Sequence, residues 1–187
     1  MSALEKLDLR TDEELFQSWL NGRQDCFENL LGRYQGRLYK VILGWTRNPH
    51  LSQDLFQETW VRVIEHREDF DPERKFSTWV FSIAMNLARD HWRKEKRART
   101  DIDSEQIEAA PAPTDIDREL IEKEQIQRLQ AAIGGLSELE REVFMLRQFG
   151  EMSFQEIARM LDINLNTALS RMHQALNRLK ELVGEKP

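Results

Sequence analysis

Apolar residues in this chain recur at intervals of three and four almost throughout, and the alternation typical of strands is nearly absent. That periodicity predicts helices near 12–22, 25–47, 52–67, 76–97, 119–134, 138–149, 154–161 and 165–183. Three starts carry an S/T-x-x-E box: Thr11 with Glu14, Ser137 with Glu140, and Ser153 with Glu156. In such a box the hydroxyl takes an amide of the first turn while the glutamate reaches back to the cap, which fixes where the helix begins. Asn48-Pro49 separates the second helix from the third, and Phe70-Asp71-Pro72-Glu73 makes a loop before the fourth. The expected fold class is all-α.

The periodicity lapses once. Segment 98–114, with Ala109-Ala110-Pro111-Ala112-Pro113, holds too few large apolar residues to pack and reads as an extended, mobile linker. The chain of 187 residues therefore divides into a module over 1–97, a linker over 98–118 and a module over 119–187, two small helical domains rather than one. No uncharged apolar run approaches the roughly 20 residues that cross a bilayer, so no membrane insertion is expected. The amino terminus lacks the basic and apolar blocks of a signal peptide and Cys26 is the only cysteine, which makes a reducing cytoplasm the default compartment. Cys26, beside Phe27 in a helical pattern, reads as a small core residue. His50, His66, His91 and His173 are too scattered for a metal or catalytic constellation. No nucleophile, base and orienting group can be assembled, so no catalytic residues, metal or cofactor are expected, and an enzyme is the least favoured class.

Charge changes the picture. The net value of −6, with a pI near 5.4, argues against a nucleic-acid partner only until its distribution is seen. Between Arg74 and Arg99 eight cations face two anions, a local +6. Between Asp101 and Glu124 nine anions face two cations, a local −7 that lies mainly in the connector. The first is a site for a polyanion.

In the second module, 153–161 is a short capped helix, Asp162-Ile163-Asn164 a tight connection, and Leu165 onward a longer amphipathic helix. This is a helix-turn-helix layout. The first helix packs through Ile157, Ala158 and Leu161; the second buries Ala168, Met172, Ala175, Leu176 and Leu179. Asn166, Leu169, Ser170, His173 and Gln174 point outward, with Arg171 and Arg178 positioned for phosphate. Amides and a hydroxyl on that face can hydrogen-bond base edges in a major groove. A plain helical hairpin is the alternative, and the turn spacing, capping and polar outer face favour DNA.

In the first module, the 76–97 helix has two stripes. Phe76, Val80, Ile83, Ala84 and Leu87 form an apolar one; Asn86, Arg89, Asp90, Arg93 and Arg97 form a polar one at helical spacing. Three guanidiniums with an amide and a carboxylate between them suit base reading among phosphate anchors. Phe70, Phe76 and Trp79 beside Arg74 and Lys75 offer stacking surface and charge to unpaired DNA, or else are core and solvated face; Trp79 borders both stripes and fits either. Helix 52–67 buries Leu55, Phe56, Val63 and Thr59 and exposes Asp54, Gln57, Glu58 and Arg62. An ordinary solvated face and a docking surface explain the latter equally well.

Three segments, in order, resemble one family. Asp54-Leu55-Phe56-Gln57-Glu58-Thr59-Trp60-Val61-Arg62-Val63 is similar to the D-L-x-Q-E-x-F-x-R-x segment of sigma factors. Residues 76–94 resemble their melting and minus-ten recognition helix, and 136–144 with 153–175 resemble their minus-thirty-five module. With only these two modules, the resemblance is to the extracytoplasmic-function group of bacterial RNA polymerase sigma factors, and it covers nearly the whole chain.

The resemblance implies a subunit that binds core RNA polymerase and directs promoter-specific initiation. It assigns docking on the clamp helices of the polymerase's largest subunit to Asp54, Gln57, Glu58 and Arg62. Minus-ten contacts go to Asn86, Asp90 and Arg93, and a flipped minus-ten base to the loop 70–75. An anti-sigma factor is a usual partner in the family, and no residue here identifies one. An extended 98–118 spans on the order of 70 Å, enough to set the modules about two turns of B-DNA apart. The acidic 101–124 suits a path through polymerase channels that normally hold RNA. The recognition helix departs from the family's G-T-V-K-S-R-x-x-R-A pattern, reading Asn166-Thr167-Ala168-Leu169-Ser170-Arg171-Met172-His173-Gln174-Ala175. Leu169 and Gln174 stand where cations are customary, so weaker or altered minus-thirty-five reading is expected, with Leu169 on a thymine methyl. Two rivals remain: an autonomous helix-turn-helix regulator leaves 52–67 without purpose, and a protein-only adaptor leaves the +6 segment unexplained.

Overall fold

The computed structural model describes residues 9–100 and 131–183, and among these every regular element is helical. Helix α1 spans Asp12–Leu20, α2 Gln24–Thr46, α3 Pro49–Glu65 and α4 Phe76–Thr100, with a 3-10 turn at Arg67–Asp69 before the loop that leads into α4. After a helical stretch at 131–134 come α5, Glu138–Gln148, α6, Phe154–Met160, and α7, Leu165–Val183. Residues 119–130 of the expected 119–134 helix, the acidic 101–124 segment and most of the 98–118 linker lie outside the described residues.

The boxes set the starts. Thr11 Oγ1 accepts from Glu14 N at 3.2 Å while Glu14 Oε2 accepts from Thr11 N at 2.7 Å, and Ser153 and Glu156 repeat the arrangement at 3.3 and 2.7 Å. Glu140 reaches back to Ser137 N at 2.9 Å. Helix α3 begins three residues earlier than the pattern predicts, because Asn48 Oδ1 accepts from Leu51 N at 3.2 Å and Pro49 takes the first helical position. Proline there gives up an amide that would be unpaired anyway. Helix α2 stops at Arg47, left-handed at φ 54°. Helix α4 continues to Thr100, so the regular structure runs past the expected boundary at 97.

Leu30, Tyr34, Leu38, Val41 and Trp45 of α2 are buried at helical spacing, and α1, α3 and α4 close around them. Val63 and Thr59 of α3, and Phe81, Met85 and Ala88 of α4, are buried as well. Helix α4 buries a wider arc than its apolar stripe predicts because α2 and α3 pack on one side and α6 on another. In the second module Ile157, Ala158, Ala168, Ala175 and Leu179 are buried as expected, but Leu176 is 40% exposed. It sits at the rim, one step round the helix from Ala175, which faces α5 and α6.

The two modules also pack directly on each other. Helix α5 lies against α2 and α6 against α4, and their buried apolar side chains form one continuous cluster.

Candidate polymerase and nucleic-acid interfaces

Three surfaces carry the residues singled out by the sequence. On α3, Asp54, Gln57, Glu58 and Arg62 are all exposed on the side opposite Leu55, Thr59 and Val63. Arg62 Nε pairs with Glu58 Oε1 at 3.0 Å, one turn apart. Val61 and Ile64, 46% and 39% exposed, lie among them, an apolar complement that the sequence reading did not pick out. Its signal was available: 57, 61 and 64 share a helical face.

The second surface is the loop 70–75 with α4. Phe76 is wholly buried, with its ring centroid 5.2 Å from Phe16 and 5.3 Å from Tyr34. It has no face to offer DNA, and the expectation of a melting contact there is corrected: it anchors the start of α4. Trp79 and Phe70 are half-buried in the same aromatic cluster, with centroids 5.1 Å apart, so Trp79 belongs to the core's edge. The amide of Phe76 donates to Glu13 Oε1 at 2.9 Å, a cap from α1 that no local motif announces. Arg74 is exposed beside Asp71 at 3.3 Å. Further along, Asn86, Asp90, Arg93 and Arg97 are exposed in line, with Arg93 3.9 Å from Asp90.

Two cations of this surface reach across the module junction. Lys75 Nζ lies 2.7 Å from Glu156 Oε1, and Arg89 pairs with Glu142 of α5 while its Nη1 donates to Asn86 Oδ1 at 3.1 Å. The two carboxylates respond oppositely. Burial pushes Glu156 up, but hydrogen bonds from Lys75 and Ser153 overcome it and hold the carboxyl down at about 2. Burial also pushes Glu142 up, and there Arg89 does not reverse it.

The third surface is α7. Asn166, Leu169, Ser170, His173 and Gln174 are exposed, Thr167 and Arg171 half-buried, and these residues other than Leu169 and His173 line a shallow polar cleft with Asn164. Asn164 Oδ1 accepts from Thr167 N at 2.7 Å, so the residue read as part of the turn is also the cap of the recognition helix. Arg171 Nη1 donates to Gln174 Oε1 at 2.9 Å, and His173 and Asn177 pair at 3.1 Å. The guanidinium of Arg178 lies with its Nη1 3.7 Å from Glu140 Oε2, and its side chain is still half exposed. Among the described residues no group of acidic, histidine or cysteine side chains could hold a metal ion, and no helix is long and apolar enough to cross a membrane.

The profile of sigma-70 region 2 matches residues 30–98, from within α2 to near the end of α4, and that of sigma-70 region 4 matches 126–179. RNA polymerase sigma factor CarQ of Myxococcus xanthus is 32% identical over 167 residues, 88% of this chain and 93% of CarQ. ECF RNA polymerase sigma factor SigW of Bacillus subtilis is 29% identical over 171 residues, 86% and 90% of the two chains. The chain belongs to the extracytoplasmic-function sigma factors. Two solved structures share this sigma factor's fold, each at 24% identity. One is CnrH in complex with the cytosolic domain of CnrY, with a TM-score of 0.71 over 94% of this chain and 99% of that one. The other is the sigma factor RpoE with the anti-sigma factor NepR from Bartonella quintana, at 0.72 over 86% and 98%. As a sigma factor the protein serves promoter-specific transcription initiation, and its family consists of transcription regulators.

Proposed function

We propose that the three surfaces divide the work of initiation. The exposed face of α3, with Asp54, Gln57, Glu58 and Arg62 around Val61, docks on the clamp helices of the largest subunit of core RNA polymerase. Helix α4 reads the minus-ten element through Asn86, Asp90 and Arg93, with Arg74, Lys75, Arg89 and Arg97 on phosphates and the rim of Trp79 beside the melted strand. Helix α7 enters the major groove at the minus-thirty-five element through Asn166, Thr167, Ser170, His173 and Gln174, and Arg171 and Arg178 hold phosphate. The boundary between the modules is the connector over 98–118.

The observation that carries this reading is the polar row of α4: Asn86, Asp90, Arg93 and Arg97 are exposed in line on a helix whose apolar side, Phe76, Val80, Phe81, Ala84, Met85 and Ala88, is buried. A merely solvated face does not need two guanidiniums in register with an amide and a carboxylate, with a third, Arg89, half-buried beside them. At minus thirty-five, Leu169 offers a thymine methyl an apolar contact, and the absence of two cations weakens the phosphate term there. A protein partner of the anti-sigma class is part of the reading, supported by the fold shared with the RpoE of the NepR complex.

Run-off transcription with purified core enzyme on a genomic library tests it. The expected result is discrete start sites preceded by two shared elements about two helical turns apart. Transcripts that begin at random, or that do not depend on adding this protein, would overturn it.

A further inference from the structure

The loop that leads into α4 is a short arch with both ends standing on α1. At its middle Asp71 makes the turn: its carbonyl accepts from Arg74 N at 2.9 Å and its Oδ1 from Glu73 N at 3.0 Å, and residues 71–75 are all exposed. At one end the Phe70 ring lies 4.7 Å from that of Phe16, centroid to centroid. At the other the Phe76 ring lies 5.2 Å from the same Phe16, which is wholly buried. One aromatic side chain of α1 thus sets the spacing between the two ends.

The second tie is polar. The first amides of a helix have no partner within it, and Lys75, the residue before α4, carries no side-chain acceptor. Glu13 of α1 supplies one, its Oε1 accepting from Phe76 N at 2.9 Å. The carboxylate there also meets the positive end of the α4 dipole. Helix α1 is in turn secured to α2, because Asp12 Oδ1 accepts from Arg33 Nη1 at 2.6 Å and Asp12 Oδ2 from the Tyr34 hydroxyl. All of these α1 residues precede the 30–98 that the region 2 profile matches.

We propose that Glu13 is a positioning residue for the minus-ten step. By capping α4, while Phe16 holds both ends of the arch, it keeps loop 70–75 in the one shape that receives an unpaired base of the melted strand. Glu13 makes no DNA contact of its own and acts through the Phe76 amide. A loop released at that end would divide its time among many shapes, and capture would fall with the fraction that remains competent. The inference rests on the assignment of α4 and its leading loop to melted minus-ten DNA made above.

Two measurements test it. In the free chain, Glu13→Ala is expected to speed hydrogen exchange at the Phe76 amide at least tenfold, whereas Glu13→Gln, whose amide oxygen still accepts, stays within about threefold of the parent. An unchanged rate in Glu13→Ala overturns the inference with neither polymerase nor DNA present. For the second, promoter fragments are taken from the strongest start site in the parent's run-off pattern, and each non-template base of the minus-ten element is replaced in turn by an abasic unit. Holoenzyme with the parent chain should form open complex at least tenfold less well when the captured base is missing. With Glu13→Ala the intact promoter should already be reduced by about that factor, and the abasic unit at that position should cost less than about twofold more. Affinity for core polymerase should stay within about twofold of the parent, and Glu13→Gln should restore the abasic penalty. A full tenfold penalty retained by Glu13→Ala overturns the inference, as does loss of core binding in step with loss of capture. A parent chain that shows no abasic penalty at any position sinks the minus-ten reading itself, so the two failures are told apart.

Discussion

Glu156 uses both of its carboxylate oxygens: Oε2 accepts from Ser153 N at 2.7 Å and Oε1 from Lys75 Nζ at 2.7 Å. Glu156→Gln keeps the capping bond, since glutamine serves at that position, and removes only the charge that Lys75 needs. Because the folded carboxyl is held at about 2, below its ordinary value of 4.5, its contribution is present above pH 4.5 and lost as pH falls through about 2. Urea midpoints measured from pH 6 down to 2 should therefore fall less steeply for Glu156→Gln than for the parent; identical profiles would mean that the pair is not made in solution. Leu169 is the other informative residue, 43% exposed on a helix that is expected to read DNA. Leu169→Lys should tighten binding to the upstream promoter element and steepen its salt slope by about one unit, measured by fluorescence anisotropy at several salt concentrations.

At the scale of elements, local signals fixed starts well and faces unevenly. The three boxes lie where the sequence indicates, since a cap is a bargain between neighbours in the chain. Asn48-Pro49 was legible as a break but is better described as the first turn of α3. The cap on Phe76 comes from Glu13, 63 residues away, and no window of sequence contains it. The face of α3 yields a direct test. In the charge-exchanged variant Glu58→Arg, Arg62→Glu the two side chains, each a little under half exposed, can still pair one turn apart. Its melting temperature should stay within about 2 °C of the parent, because exposed ion pairs contribute little. Affinity for core polymerase should fall at least tenfold in a pull-down or anisotropy titration, and a variant that docks normally would show that α3 is only a solvated face.

For the whole molecule, the sharpest energetic statement concerns Arg89 and Glu142, whose side chains are 22% and 6% exposed. Burial raises the Glu142 carboxyl even with Arg89 beside it, so ionised Glu142 weakly opposes the folded state, and acidification through its range relieves that opposition. The pair therefore determines which groups meet rather than how firmly they hold. Removing one partner is a different matter. Arg89→Ala leaves a buried carboxylate uncompensated and should cost about 3–5 kcal/mol, while the double change Arg89→Met, Glu142→Leu should recover most of it. Urea denaturation of the two variants checks this, and additive losses would mean that the pair does not form.

The sequence by itself determined the helical class, nearly every helix start, the segregation of charge and the polar faces of α3, α4 and α7. Each of these follows from spacing along one chain segment or from the chemistry of adjacent residues. Tertiary structure alone decided the fate of residues at the border between faces. Phe76 and Trp79 joined an aromatic cluster with Phe16 and Phe70, and Leu176 was left at the rim, because burial depends on which neighbour arrives and not on period. It also decided that α5 and α6 rest on α2 and α4. The 3.6-residue period shows that a helix has an apolar side, but not that the side chain meeting Gly44 is Met145, or that the carboxylates beside Arg89 and Lys75 come from the same chain.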